Sequence, residues 1–385
     1  MKALIADGKW RPANGYLPSE QESRLKRALV GSRVWKDTFF EIKDVPIPEV
    51  RNDEVLIKVN ACGICGSDTH LYEKNSEGYI IFSGLTKLPC VIGHEFAGVV
   101  VETGSGVQCF KEGDRVAVES IMWCGVCHCC RSGNPNQCKN IELLGLSRDG
   151  ALAEYVAVSE RFCWDISPLA DVCNEDELFE IGALIEPIGC AYNGIFVAGG
   201  GFAPGAIVAV YGAGPIGLGA VALARTAGAS RVIAFDVVDA RLDVAKRLGA
   251  DFAFNINGLN GRCAEKVMEL TKGWGADIQV EAAGAAPVTI PEMEKSLAAQ
   301  GKIIYLGRAA TSTAANLDGL VTGANSIIGA RGHAGYGIFP NIIKLIGSGR
   351  LKVGGMITSK YRFQDALDAI GASAMRKDAK IIVKF

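Results

Sequence analysis

The sequence predicts an α/β chain of two domains, a β-rich one and one built on a doubly wound parallel sheet. Three observations carry that prediction. At 385 residues the chain can bury two separate cores. Its first half holds short strand-like runs without regular helices between them, the habit of mainly β domains. Past about Pro187, apolar runs alternate with helix-like segments, as in parallel sheets with crossover helices.

Taken in order, residues 2–6 read as an opening strand. Residues 39–44 and 54–60 alternate apolar with polar side chains around a turn at Pro46 and Pro48. Short strands continue at 98–102, 115–119 and 154–158. Two insertions interrupt this half: 11–36, charged and holding one short helix at 20–29, and 73–90. In the second half 207–211, 232–236, 252–255, 277–282 and 302–306 are the strands, with helices at 215–227, 239–248 and 263–271. The tail from 328 ends in a strand at 380–385, expected to return to the first domain. The expected boundaries are therefore 1–187 with 331–385, and 188–330.

Composition narrows the function classes. Forty basic and 42 acidic side chains leave a formal charge of −2, without a basic half, which speaks against nucleic acid as the main partner. The first nine residues lack the apolar core of a secretory signal, so a cytoplasmic protein is expected. No Asp, Glu, Lys or Arg occurs between Glu186 and Arg225, long enough for a membrane span. Recurrent glycines, with Pro187, Pro204 and Pro215 expected to interrupt any long helix, instead indicate a buried strand, a glycine turn and a helix. Five of the 13 cysteines fall between Cys124 and Cys138. Without export, such clustering points to metal rather than disulfides.

Residues 208–211 run straight into Gly212-Ala213-Gly214-Pro215-Ile216-Gly217. In a dinucleotide fingerprint the first glycine makes the tight turn, the second lets backbone approach the pyrophosphate, and the third packs helix on strand. The helix N-terminus then offers free N–H groups to phosphate. Asp236 closes the next strand, 19 positions past Gly217, where an acid binds the adenosine ribose hydroxyls. A carboxylate there repels a 2′-phosphate, so NAD is expected over NADP. Arg241 follows, either covering the adenine or ribose or serving as a helix-surface arginine.

Cys124, Cys127, Cys130 and Cys138 show the spacing C-x2-C-x2-C-x7-C within a lobe at about 120–140. Four thiolates on a short loop close a tetrahedral Zn²⁺ shell, which makes such a site structural. Cys129 is an alternative to Cys130, and the regular x2 spacing favours Cys130. His128 reads as a loop residue.

A second constellation is Cys62-Gly63-Ile64-Cys65-Gly66-Ser67-Asp68-Thr69-His70 with Gly93-His94-Glu95. It supplies a thiolate, an imidazole, proton carriers and acids, the needs of an open zinc site. With these motifs, the four-cysteine lobe, Gly150-Ala151-Leu152-Ala153-Glu154-Tyr155, Glu186-Pro187 and the glycine fingerprint in this order, the chain resembles the zinc-containing medium-chain alcohol dehydrogenases over nearly its whole length. It is most similar to their sorbitol and threonine dehydrogenase branch. Gly78-Tyr79-Ile80, Gly84-Leu85-Thr86, Leu184 to Pro187 and Gly332-His333 resemble a scyllo-inosose 3-dehydrogenase-like group.

The resemblance implies a GroES-like catalytic domain joined to a Rossmann cofactor domain. It also implies two zinc ions per subunit, NAD, and a homodimer or homotetramer. By matching position, Cys65 and His94 bind the catalytic zinc, Glu95 is a direct or exchanging ligand, and Glu186 binds directly or through water. Asp68 would orient His94. Ser67 would accept the alcohol proton and pass it through the nicotinamide ribose to His70, while hydride moves to NAD. The implied substrate is a polyhydroxylated secondary alcohol or its ketone, of polyol, sugar or cyclitol type. L-threonine or a simple secondary alcohol is the alternative, and a non-catalytic redox sensor is the alternative of another class. The 28 residues between Cys65 and His94 exceed the spacing of compact relatives, so the 73–90 insertion is expected at the substrate cleft or an oligomer contact. His333 stands either near substrate or in a structural hydrogen bond.

Overall fold

A computed structural model describes residues 1–308 and 312–385, and their contacts form two units. One is Met1–Glu186 with Ser359–Phe385, and the other is Pro187–Thr358. The chain thus returns to the first unit at Ser359, not at 331 as expected. The reason is a helix that the sequence reading did not assign. Ile338–Gly347 buries Ile338, Phe339, Ile342, Ile343 and Ile346 on one face and keeps the segment with the second unit.

In the first unit the strand Glu54–Gly63 is central. Val55, Leu56, Ile57 and Val59 are all buried, as an interior strand requires. It pairs antiparallel with Glu95–Thr103, Tyr155–Ser159 and Lys380–Lys384. These strands belong to a seven-stranded sheet whose core includes Leu4, Ile57, Phe96, Val100, Leu152 and Val383. The opening strand is longer than expected, Lys2–Trp10, because it pairs with Trp35–Asp44 along its length.

The two insertions fold onto each other. Asp37 N–H donates to Gly78 O at 2.9 Å, Ile80 N–H to Trp35 O at 3.1 Å, and Arg27–Ala28 pairs with Thr86–Lys87. The first insertion's helix is shorter than the expected 20–29: it covers Glu20–Leu25 and stops where Lys26 turns left-handed, φ 48°. Ser19 and Glu22 form its capping box.

The second unit contains a six-stranded parallel sheet. Its order is Phe252–Asn255, Arg231–Asp236, Ile207–Tyr211, Ala276–Glu281, Leu297–Tyr305, Ser326–Gly329. Chain order reverses on either side of Ile207–Tyr211, the switch point where open parallel sheets bind ligands beyond their strand ends. Tyr211, Ile233, Phe235, Met293 and Ile303 lie in its core.

Pro187 does not interrupt a helix; it lies inside Glu175–Tyr192. A proline removes one backbone donor there. Burial of Leu184, Ile185 and Ile188 around it outweighs that loss. The helical stretch 175–198 is long and apolar enough to cross a membrane, but 67% of its apolar window is buried within the chain.

Candidate metal centres and dinucleotide site

Strand pairing assembles the first centre. Gly63 lies opposite Glu95 in the ladder between Glu54–Gly63 and Glu95–Thr103, so the ends of two strands meet despite the long insertion. Ile64 and Cys65 follow Gly63 and lead into the helix Gly66–Tyr72; His94 precedes Glu95. A thiolate, an imidazole and a carboxylate oxygen from Cys65, His94 and Glu95 come within 4.8 Å of one another.

Asp68 organises this corner. Its Oδ2 accepts the Cys65 N–H at 2.9 Å, and its Oδ1 stands 3.6 Å from His94 Nδ1. With Nδ1 turned to Asp68, Nε2 is the nitrogen left for a metal. Ser67 Oγ lies 3.3 Å from that Nε2. Glu186, on the helix Glu175–Tyr192, is buried and lies outside the trio's 4.8 Å grouping, yet near enough for its charge to act on the Cys65 thiol; its Oε1 accepts the Ser120 hydroxyl at 2.8 Å.

Burial dominates the electrostatics. It pushes the Cys65 thiol up to about 11, with Asp68 adding to the effect and Lys380 opposing it. Burial likewise raises Asp68, against the pull of His94 and the Cys65 amide. His70, on the same short helix, is held below its ordinary value by burial and then by Arg376.

The donor set fits zinc: one soft thiolate, one imidazole nitrogen and carboxylate oxygen around a position left open. The four-cysteine lobe fits it as a closed shell. Sγ–Sγ separations are 3.6 Å for Cys127–Cys130, 3.6 Å for Cys124–Cys138 and 3.9 Å for Cys127–Cys138. A tetrahedron with Zn–S bonds of about 2.3 Å has edges of about 3.8 Å. Cys130, not Cys129, joins the other three. Without a cation among them the four thiols split: backbone N–H groups of Val126 and Cys127 lower Cys124 to about 6, while burial raises Cys130 and Cys138.

In the second unit the three glycines differ in surroundings. Gly212 takes φ 95°, which L side chains avoid. A Cβ on Gly217 would collide with the Gly212 carbonyl. A Cβ on Gly214 would meet nothing within 4 Å, leaving open space at the N-cap of the helix Pro215–Thr226. Pro215 and Ile216 form that helix's first turn. An approachable turn below a helix N-terminus fits a pyrophosphate. Asp236 ends its strand, accepting Ala213 N–H on Oδ2 at 2.6 Å and Val238 N–H on Oδ1 at 2.8 Å. Each oxygen keeps a second acceptor direction for a ribose hydroxyl. Arg241 is half-buried on the helix Asp239–Arg247.

Two family descriptions match the chain: alcohol dehydrogenase GroES-like domain over residues 51–168, and zinc-binding dehydrogenase over residues 215–348. The chain belongs to the zinc-binding alcohol dehydrogenase family. It is 38% identical to a scyllo-inosose 3-dehydrogenase of Thermotoga maritima over 91% of each chain. It is 32% identical to an L-threonine 3-dehydrogenase of Pyrococcus abyssi, over 88% of this chain and 93% of that one. The solved structure of a candidate alcohol dehydrogenase from Thermotoga maritima superposes with a TM-score of 0.96, at 35% identity and full coverage of both chains.

Membership makes this dehydrogenase an NAD(P)-dependent zinc oxidoreductase of secondary alcohols, with a GroES-like and a Rossmann domain. Two residues beside the candidate ligands escaped the sequence reading. Ser120 is one, the donor to Glu186. The other is Lys380, buried and ion-paired with Glu95. Neither sits in a motif; a lysine opening K-I-I-V-K looks like any strand end at a surface. His333 is buried within the second unit, its ring tilted 52° to that of Phe339 with 5.2 Å between centroids.

Proposed function

We propose that this dehydrogenase interconverts a polyhydroxylated secondary alcohol, of polyol, sugar or cyclitol type, and its ketone with NAD(H). The observation that carries the catalytic part is the convergence of Cys65, His94 and Glu95. Relatedness to a cyclitol enzyme at 38% identity favours the substrate class. Cys65, His94 and Glu95 hold the catalytic zinc, Glu186 serves at longer range, and Cys124, Cys127, Cys130 and Cys138 hold the structural zinc. The fingerprint Gly212 to Gly217 with Asp236 and Arg241 holds NAD.

When bound, zinc acidifies an alcohol hydroxyl as a Lewis acid, and the nicotinamide accepts hydride. The chain's own residues manage the proton and the geometry. Ser67 Oγ, beside His94 Nε2, accepts the hydroxyl proton. His70 lies three residues on along the same helix, on the same face, and relays the proton to solvent. Burial and then Arg376 hold its pKa below the ordinary value, which favours the neutral imidazole. Asp68 fixes the tautomer of His94.

The protein is proposed to work in the cytoplasm as a homo-oligomer. The sheet edge at Ser326–Gly329, with exposed Leu317 and Val321 on the helix that precedes it in the chain, supports self-association; light scattering of the purified chain reads the number of copies.

A substrate panel followed by NADH absorbance tests the function. Inositols, inososes, hexitols and L-threonine are compared by kcat/KM. Highest values for cyclitols or hexitols are expected; preference for L-threonine would overturn the substrate class. One zinc per chain, instead of two, would overturn the catalytic assignment.

A further inference from the structure

Complete burial of a lysine is rare, because its ammonium gives up hydration and needs compensation inside the protein. Lys380 is only 1% exposed. Its Nζ donates to Glu95 Oε2 and, at 2.9 Å, to the Ile64 carbonyl. Ile64 precedes Cys65 directly, and its own N–H donates to Ile381 O at 3.0 Å. One ammonium therefore ties together the segment that carries Cys65 and the strand that carries Glu95. It arrives on the last strand of the chain, whose Ile382 pairs with Gly63.

Gly63 is what makes this arrangement possible. A Cβ at that position would collide with both Glu95 Oε2 and the Lys380 Cε. The ladder thus places a residue without a side chain where the ion pair passes. Nearby, Asp68, Glu95 and Glu186 are all buried acids, and Cys65 must add a thiolate to hold a metal. A single divalent cation leaves that group with excess negative charge, which a buried cation offsets.

We infer that Lys380 is a positioning residue of the metal centre, holding Oε2 of Glu95 so that Oε1 alone faces the metal shared with Cys65 and His94. The inference rests on the proposed assignment of those three ligands. Lys380 touches no substrate; it acts through Glu95 and through the backbone before Cys65. The C-terminal strand is accordingly part of the metal site, although it carries none of its ligands.

The test compares full-length wild type with Lys380→Met, Lys380→Arg and the double variant Lys380→Met/Glu95→Gln. Metal content, zinc affinity by chelator competition, the visible spectrum after cobalt exchange at the catalytic site, and thermal unfolding are read. Lys380→Met is expected to lose about tenfold to a hundredfold in zinc affinity, the range for groups that orient ligands, and to shift the cobalt bands. Lys380→Arg is expected to keep both near wild type. The double variant is expected to regain the stability lost in the single one, since no buried carboxylate remains uncompensated.

Wild-type affinity and an unchanged cobalt spectrum in Lys380→Met would overturn the inference. So would a double variant no more stable than the single, which also decides the matter if Lys380→Met does not fold. One zinc per wild-type chain would remove the ligand assignment itself. Two zincs with unchanged cobalt bands in Lys380→Met would remove only the role of Lys380.

Discussion

Asp68 uses its two oxygens for two tasks: Oδ2 accepts the amide of Cys65 at 2.9 Å, and Oδ1 faces Nδ1 of His94 at 3.6 Å. One carboxylate thereby holds a backbone turn and stands just beyond hydrogen-bond distance of an imidazole. Asp68→Asn keeps the shape but loses the charge that favours an N–H on Nδ1. A fall in zinc affinity of about tenfold to a hundredfold is expected. Chelator competition measures it; an unchanged affinity would mean that His94 needs no such partner.

The four-cysteine lobe separates two neighbouring thiols. Cys130 is grouped with Cys124, Cys127 and Cys138, and Cys129 is not. Cys130→Ser is therefore expected to lose one zinc per chain and to unfold at lower temperature, because the lobe has little core of its own. Cys129→Ser is expected to retain the metal and the wild-type melting temperature. Elemental analysis beside thermal unfolding distinguishes the two, and the opposite pattern would exchange their roles.

At the dinucleotide site Asp236 holds the Ala213 and Val238 amides while closing its strand. Like-charge repulsion of a 2′-phosphate by this carboxylate is worth a few kcal/mol, on the order of a hundredfold in selectivity. Asp236→Ser is expected to lower kcat/KM with NAD and to narrow the NAD to NADP ratio by about tenfold or more. A wild-type preference for NADP, or a ratio untouched by the substitution, counts against the assignment.

Glu22 organises the first insertion. Its Oε1 accepts Tyr16 Oη–H and Leu29 N–H, both at 2.9 Å, and its Oε2 accepts Ser19 N–H at 2.9 Å. Burial alone would raise its pKa, but the Leu29 and Ser19 amides and the two hydroxyls prevail and lower it below the ordinary 4.5. A lowered folded-state value means stabilisation present above pH 4.5 and lost as pH falls through the lowered value. Proteolysis within residues 11–36 is expected to accelerate only below that window. Glu22→Gln is expected to remove the acid dependence and expose the segment at neutral pH.

Much of the fold was legible in one dimension because its signals are local. The strand–glycine–helix run from Val208 to Gly217 encodes its own turn: Gly212 adopts the positive φ that the motif requires. The spacing of Cys124, Cys127, Cys130 and Cys138 likewise points to metal over 15 residues of chain. Boundaries were less legible. The helix Ile338–Gly347 and the passage of Glu175–Tyr192 through Pro187 follow from burial, which overrides what proline and glycine suggest.

By itself the sequence determined the family and the α/β architecture, and it marked out the candidate metal-binding residues and a glycine turn that suits a nucleotide. Each of these depends on residues close together or on a pattern repeated along one element. Tertiary structure alone decided that Gly63 would lie against Glu95, that Ser120 would reach Glu186, and that Lys380 would be buried beside Glu95. Those outcomes depend on strand register and on burial, which bring residues 66 positions apart in one case and 285 in another into low-dielectric surroundings. There an unremarkable strand-end lysine becomes a charge that must be paired.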